Sequence, residues 1–309
     1  MANLKDIKSR ILSVQNTKKI TRAMKMVAAA NVKKAENAVK ASRPFSEELI
    51  IAFKKLLSAV GDYSSEGLKI KLAIDNYPEL LKKHEVKTAG LLVITSNKGL
   101  AGAYNANVVR NTIKTIEEYK QQGINCKLFI IGQKGNAALK RKAEDYGFEI
   151  VKTYIKVAGE ISAAGAQYVA EDLSQAYVSG EIDTIEIFTT KFKNMMSYLA
   201  EKWNLLPINA EEDLKTESAV KIDPVMIFEP NEHSILQKVV PMYITNTIFQ
   251  SLLEAQASEL ASRMTAMSAA SNNAEEMIRT LTIDYNKARQ AAITQELLEV
   301  VSGADALKG

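Results

Sequence analysis

Residue types that often carry chemistry are scarce in this sequence. A single cysteine, Cys126, excludes an intrachain disulfide and an all-cysteine metal site, and it favours a reducing compartment. The only histidines, His84 and His233, lie in no metal-ligand motif, so neither a zinc site nor a Ser–His or Cys–His catalytic arrangement is supported. No apolar run approaches the roughly 20 residues that span a bilayer, and the N-terminus has no signal-peptide pattern. We expect a soluble, cytoplasmic protein that reaches a membrane only through partners.

Glycine and proline are both absent from residues 1–43, where the apolar spacing predicts a helix. Its first stripe consists of Leu4, Ile7, Ile11 and Val14, spaced three and four residues apart. Polar residues occupy the next heptad positions, Lys18, Thr21 and Lys25. The apolar face is therefore predicted to shift, as in a stutter, to Ile20, Met24 and Val27, before it returns at Ala28, Val32, Ala35 and Val39. Pro44 is predicted to kink or interrupt the helix.

The C-terminal region carries the strongest periodic signal. Apolar or small residues alternate four and three apart without a break, as in the a/d seam of a coiled coil. They are Leu253, Ala257, Leu260, Met264, Met267, Ser271, Ala274, Ile278, Leu281, Tyr285, Ala288 and Ala292. A helix of about 60 residues is about 90 Å long and needs a partner for this stripe. The pattern predicts a long antiparallel coiled coil of the N- and C-terminal helices; a long helix in an ordinary bundle is the alternative.

Between the two termini the hydrophobic period changes to that of a small α/β domain. Short apolar runs predict buried parallel strands, and helical patterns follow them. The predicted strands are Ala89–Thr95, Cys126–Gly132 and Thr184–Thr190, the helices are 104–121, 135–146 and 160–178, and further extended pieces are Met195–Ile208 and Val225–Phe228. This alternation predicts a small doubly wound, Rossmann-like domain. The predicted division is an N-terminal coiled-coil helix at 1–60, a central α/β domain at 61–230 with its core at about 75–210, and a C-terminal coiled-coil helix at 231–309.

The predicted α/β domain has no nucleotide-binding motif. Neither a P-loop nor a G-x-G-x-x-G sequence is present. The segment Ser96–Gly102 follows the first strand, where it forms either a tight turn or a phosphate site at a helix N-terminus, and we favour the turn. Cys126 lies inside an apolar strand, which is typical of a small buried hydrophobe. We therefore predict no active site, no metal and no cofactor in this chain.

Basic charge is concentrated in the first helix. Residues 1–43 contain eleven basic and two acidic residues, 11 − 2 = +9, whereas residues 235–302 contain five and seven, 5 − 7 = −2. A rod with this charge suits an acidic surface of a protein or a nucleic acid. The basic residues interleave with a heptad and have no aromatic stacking platform beside them, so we predict that nucleic acid is not a partner.

Three segments of the sequence resemble the gamma subunit of F-type ATP synthase, in its bacterial form. They are Ile7–Ala30, the pair Leu260–Met267 and Asn273–Met277, and Tyr285–Ala304, and the likeness keeps their order along the chain. One departure is Gly99-Leu-Ala-Gly102, where the family often has Gly-Leu-Cys-Gly, and the paired regulatory cysteines of the chloroplast type are missing.

The resemblance implies a non-catalytic central rotor shaft, with one copy in each complex. Its implied partners are the hexamer of alpha and beta subunits, whose beta subunits make or hydrolyse ATP, together with the epsilon subunit and the membrane c-ring. Ion flow would turn the ring, and the ring would turn the shaft. The implied location is peripheral, at the cytoplasmic face of the bacterial plasma membrane.

The resemblance also implies contact residues for the beta subunit. Arg289, Gln290 and Thr294 would hydrogen-bond a beta loop, and Arg263 would lie near an acidic beta segment, facing Met24 and Lys25. The apolar stretch Leu297–Val301 is expected to sit in an apolar sleeve. Two other classes stay open from the residues themselves: a coiled-coil adaptor without rotation, and a small-molecule enzyme built on the α/β domain.

Overall fold

The computed structural model describes residues 4–60, 80, 84–207 and 232–306. Within these, helix α1 spans Leu4–Val60 and helix α7 spans Glu232–Ala306. Between them lie β1 (Thr88–Ile94), α2 (Tyr104–Gln121), β2 (Asn125–Ile131), α3 (Gln133–Lys140), α4 (Ala143–Tyr146), β3 (Glu149–Tyr154), α5 (Ile155–Gly159), α6 (Ala163–Val178), β4 (Thr184–Asn194) and β5 (Ser197–Leu206). None of these helices combines the length and apolar character needed to cross a membrane.

The chain divides into two compact units. The terminal unit comprises the described residues 4–30 and 263–306, which belong to α1 and α7. The sheet unit comprises the described residues between 31 and 262, with the strands, the shorter helices and the remaining parts of α1 and α7.

A five-stranded mixed sheet organises the sheet unit. Its strand order is β3-β2-β1-β4-β5; β1 to β4 pair in parallel, and β5 is an antiparallel edge strand beside β4. Connections through α2 and α6 make this a Rossmann-like arrangement, and the predicted fold class is confirmed. The predicted extended piece at Met195–Ile208 contains β5, whereas Val225–Phe228 lies outside the described residues.

Two hydrophobic cores cover the two faces of this sheet. On β1, Leu91 and Val93 join the core beneath α2 and α3, whereas Leu92 and Ile94 join the opposite core beneath α6 and α7. Successive side chains of a strand point to opposite faces, so a central strand covered on both sides must be apolar throughout. That requirement explains why β1 and β2 were recognisable as continuous apolar runs.

Strand β3 was not predicted. Its sequence Glu-Ile-Val-Lys-Thr-Tyr contains no continuous apolar run, because β3 is an edge strand and only Tyr154 is fully buried. The predicted interruption of α1 at Pro44 is wrong, because α1 continues through this residue. Val39 and Phe53, on either side of Pro44, are buried in the cores of the sheet unit. This packing offsets the roughly 3 kcal/mol that an internal proline costs a helix.

The loop after β1 is a tight turn whose polar groups bond one another. The side chain of Asn105 accepts a hydrogen bond from the Ser96 main-chain N–H at 3.0 Å, and the Ser96 hydroxyl donates to the Lys98 carbonyl at 2.7 Å. Leu100 and Gly102 have left-handed backbones, with φ of 62° and 53°. The Ser96 N–H and hydroxyl are therefore engaged within the turn, which agrees with the favoured interpretation of Ser96–Gly102.

Candidate partner-contact surface on the terminal helices

In the terminal unit, α7 buries the seam that the sequence predicts. From residue 272 to 304, the side chains that are not exposed are Ala274, Ile278, Leu281, Tyr285, Ala288 and Ala292. Met264, Met267 and Ser271 continue the same stripe towards the start of this segment. The predicted a/d positions of this half of the helix are therefore confirmed.

The predicted shift of the α1 apolar face is wrong at Ile20 and Val27 and right at Met24. Met24 is half-buried, whereas Lys25, the next position of the first heptad, is exposed. The buried or half-buried positions are Leu4, Ile7, Ile11, Val14, Lys18, Thr21, Met24, Ala28 and Ala29. Ile20 and Val27, which the shift would bury, are 60% and 62% exposed.

Local partners explain why polar residues can stay in this seam. The Lys18 ammonium reaches the Glu275 carboxylate on α7 at 3.3 Å, and the Thr21 hydroxyl donates to the Lys18 carbonyl at 3.1 Å. Since both polar groups have partners, the helix gains nothing by rotating them outward. Of the pair Met24 and Lys25, Met24 is half-buried and Lys25 is exposed, so the long apolar side chain takes the seam.

The terminal unit has an outward apolar face that sequence reasoning missed. Leu12, Ile20 and Val27 are each more than half exposed on α1, and Ile283 is 56% exposed on α7. Sequence reasoning missed this face because an apolar stripe on a paired helix is normally assigned to the buried interface between the helices. The signal available in the sequence was the second stripe at Leu12, Ile20 and Val27, seven and eight residues apart.

Arg289, Gln290 and Thr294 are exposed on the part of α7 that lies in the terminal unit. The Thr294 hydroxyl donates to the main-chain carbonyl of Gln290 at 2.9 Å, which fixes its rotamer and leaves its oxygen lone pairs free to accept. Gln290 and Thr294 are one helical turn apart and lie on the same face. Three polar side chains thus present two donor groups and a hydroxyl to whatever covers this surface.

Arg263, Met24 and Lys25 also belong to the terminal unit. Arg263 is half-buried and has interactions within the protein, whereas Lys25 is exposed. That Arg263 faces Met24 and Lys25 stays a prediction.

The two helices of the terminal unit differ in charge. Residues 4–30 have seven basic and one acidic residue, 7 − 1 = +6, and residues 263–306 have four basic and six acidic, 4 − 6 = −2. Exposed cations on α1 include Lys8, Arg10, Lys19 and Arg22. The α1 side of this unit is therefore suited to acidic partner surfaces.

The sheet unit gives little support to an enzyme. Cys126 is buried, and burial followed by the nearby Glu186 carboxylate raises the pKa of its thiol to about 12, so it is a poor nucleophile. Burial, with the same carboxylate, also raises the pKa of Tyr119. In the parts of the chain that the structure describes, no cluster of three His, Cys, Asp or Glu side chains could hold a metal ion.

Comparison with known proteins identifies the family. The family model described as ATP synthase matches residues 3–307. The chain is 41% identical to the ATP synthase gamma chain of Nostoc punctiforme and 40% identical to that of Synechococcus sp. (strain JA-2-3B'a(2-13)), in both cases over 99% of this chain and 100% of the relative.

Solved structures share the fold. A chain of the Euglena gracilis mitochondrial ATP synthase (OSCP/F1/c-ring) matches with a TM-score of 0.64 and 18% identity, covering 98% of this chain and 94% of that one. A chain of the Tetrahymena thermophila mitochondrial ATP synthase central stalk/c-ring matches with a TM-score of 0.57 and 23% identity, covering 82% and 99%. The resemblance first seen in the terminal segments is confirmed along the whole length, and the chain belongs to the ATP synthase gamma-chain family.

Proposed function

We propose that this chain is the central rotor shaft of an F-type ATP synthase and does no chemistry of its own. The observation that carries this function is the terminal unit of this chain, in which a regular seam of apolar residues, several of them alanine, pairs α1 with α7. Small seam residues allow two helices to approach closely, and a paired rod resists the bending that a lone helix undergoes.

The proposed partners are the alpha and beta subunits, arranged as a hexamer around one copy of the chain, with the epsilon subunit and the c-ring at the other end. Solved structures with this fold come from assemblies described as central stalk/c-ring and OSCP/F1/c-ring, which supports a place between F1 and the ring. The chain would then lie at the cytoplasmic face of the bacterial plasma membrane and touch the membrane only through its partners.

The exposed group Arg289, Gln290 and Thr294 is proposed to hold a loop of one beta subunit. The Arg289 guanidinium would make a charge-assisted pair with a carboxylate, and Gln290 and the Thr294 hydroxyl would add neutral hydrogen bonds. These few directional hydrogen bonds would let the beta subunits transmit force to and from the shaft.

The second proposed contact consists of Arg263, Met24 and Lys25, next to an acidic segment of beta. Lys25 is exposed on the basic side of α1, where charge complementarity favours an acidic partner. Leu297, Leu298 and Val300 are 61–70% exposed near the end of α7 and are proposed to turn inside an apolar sleeve, where contacts are non-directional.

The experiment is reconstitution of the chain with alpha and beta subunits, followed by ATPase assay and size-exclusion chromatography. The double variant Arg289→Ala with Gln290→Ala should lower ATPase activity and leave the complex assembled, because it removes roughly 2 kcal/mol of charged hydrogen bonding from a long interface. Lys287→Ala, also exposed on α7, is the matched control and should match the unsubstituted complex. Full activity of the double variant would contradict the assigned contact.

A further inference from the structure

In the sheet unit, the end of β4 is held between α1 and α7 by three residues, Arg43, Phe192 and Glu254, which we call the clamp. The Phe192 side chain, 4% exposed, packs in a cluster with residues of both helices. These are Val32, Ala35 and Val39 on α1 and Leu253, Ala257 and Ala261 on α7. An aromatic ring from the sheet is thus inserted between the two helices.

The Glu254 carboxylate sits beside this ring and is almost completely buried, at 3% exposure. Its Oε2 accepts a hydrogen bond from the main-chain N–H of Phe192 at 2.7 Å. Its Oε1 accepts from the Arg43 guanidinium, from Nη2 at 2.9 Å and Nε at 3.1 Å, and from the Gln250 side-chain amide at 3.1 Å. Both oxygens of a buried charge are therefore engaged by donors, which such a charge requires.

Arg43 completes the clamp, because its Nη2 also donates to the Phe192 carbonyl at 3.0 Å. The main chain of Phe192 is thereby held through both its N–H and its C=O. The planar guanidinium fork fixes these directions in a way that a lysine ammonium cannot. One charged network thus joins α1, α7 and the sheet.

Two further hydrogen bonds between the sheet and α7 join neutral groups. The Thr189 hydroxyl donates to the Ser251 carbonyl at 3.1 Å, and the Tyr198 and Ser262 hydroxyls share a hydrogen bond of 3.0 Å. Such bonds are weaker than those to a charged group. The apolar side chains between the sheet and α7 are close-packed and transmit strain, and the charged hydrogen bonds add a fixed direction to this contact.

We propose that the clamp is the coupling through which torque passes between the sheet and the α1–α7 pair. The proposal rests on the proposed rotor function, in which the α/β domain is driven by the ring and the helices drive the beta subunits. A sideways load on the sheet reaches both helices together at Phe192, so the helices turn with the sheet. Arg43 and Glu254 act as positioning residues for this movement.

The test substitutes Glu254→Gln in the complex with alpha and beta subunits. The glutamine NH₂ must face either the Phe192 N–H or the Arg43 and Gln250 donors, so either orientation sets donor against donor. A bead is attached through Gln122→Cys, an exposed position after α2, and its angular fluctuations are recorded while the hexamer is immobilised without ATP. The fluctuations report the torsional stiffness of the link between sheet and helices.

The matched control is Asp172→Asn. Asp172 on α6 also forms a charged network, accepting from Lys152 at 2.7 Å and Tyr154 at 2.9 Å, but it joins only α6 to β3. We expect Glu254→Gln to broaden the angular distribution, and Asp172→Asn to leave it unchanged. Equal distributions for Glu254→Gln and the unsubstituted chain would overturn the proposal, and so would equal broadening in both variants, which would indicate general loosening.

A second variant covers failure of Glu254→Gln to assemble. Arg43→Lys keeps the positive charge but loses the planar guanidinium group. The complex with this variant should assemble and still show a broader angular distribution of the bead. Unchanged torsional stiffness would again overturn the proposal. Failure of the proposed function is distinguishable, because the complex with an otherwise unsubstituted chain would then show no ATP-driven rotation of the bead at all.

Discussion

At the scale of single residues, Gly132 sets how closely the ends of β1 and β2 approach. Its φ is +99°, and a Cβ placed there would lie 2.2 Å from the Thr95 carbonyl oxygen. Thr95 is itself fixed, because its N–H donates to the Ile131 carbonyl at 2.8 Å and its hydroxyl accepts from the Gly135 N–H at 2.9 Å. A side chain at Gly132 therefore meets main chain that cannot move aside.

We predict that Gly132→Ala lowers the free energy of unfolding of the sheet unit by about 2 kcal/mol or more, through strain and steric overlap. Gly123→Ala is the control, since Gly123 also has a left-handed φ of +74° but no atom within 4 Å of the added Cβ. It should cost only about 1–2 kcal/mol. Denaturant unfolding followed by fluorescence of Trp203, the single tryptophan, measures both. Equal losses would contradict the steric account.

Cys126 provides a prediction about pH. Burial is the first cause that raises the pKa of its thiol to about 12, and an unfolded cysteine titrates near 8.5. The folded protein therefore binds this proton more tightly than the unfolded chain does. The stability contributed by the group is complete below about pH 8.5 and is lost as pH rises from there towards 12.

The corresponding measurement is the rate at which a maleimide labels Cys126 at pH 9. The folded protein should label far more slowly than the same chain in denaturant, because both burial and the scarcity of thiolate oppose the reaction. Rapid labelling of the folded protein would show that the thiol is neither buried nor protonated.

At the scale of helices and strands, Ile7 and Ile20 test which face of α1 is buried in the terminal unit. Ile7 is 8% exposed and Ile20 is 60% exposed, although both are isoleucines on the same helix. We predict that Ile7→Ala destabilises the pairing of α1 and α7 by about 2 kcal/mol, near the lower end for buried isoleucine truncation. Ile20→Ala should change it by less than about 0.5 kcal/mol.

Thermal melting by circular dichroism, together with tryptic cleavage at Arg279 and Lys287 on α7, measures this difference. Ile7→Ala should melt earlier and expose these sites sooner than Ile20→Ala does. The reverse order would restore the phase shift that the sequence pattern predicts.

Helices and strands were predictable from the sequence where one strong hydrophobic pattern decided the structure. The α7 seam follows a heptad without interruption, and β1 and β2 are buried on both faces. Prediction failed where a local pattern competed with tertiary contacts. Lys18 stays in the seam because Glu275 lies across from it, Pro44 stays helical because its neighbours are buried, and β3 is an edge strand without an apolar run.

The clamp could not be predicted from sequence at all. Arg43 is 211 residues from Glu254 and 149 from Phe192, so no spacing brings them together before the chain folds. The proposed beta-contact residues come from family resemblance, since exposed polar side chains on a helix carry no pattern of their own. What the structure adds is that Arg289, Gln290 and Thr294 are available on the surface.

At the scale of the whole molecule, the role of this chain in ATP synthase is mechanical, and the reaction of ATP takes place in other subunits. The terminal helices present exposed apolar and cationic side chains, and in the sheet unit the buried Glu254 carboxylate is engaged within the packing. A chain of this family then acts by moving, and its contribution to ATP synthesis or hydrolysis is mechanical.

The most direct test is to watch the chain turn. The complex with alpha and beta subunits is immobilised, a bead is attached through Gln122→Cys, and ATP is added. A rotor shaft predicts sustained one-way rotation of the bead that stops when ATP is exhausted. Hydrolysis of ATP by the same complexes with a bead that only fluctuates about one angle would contradict the account.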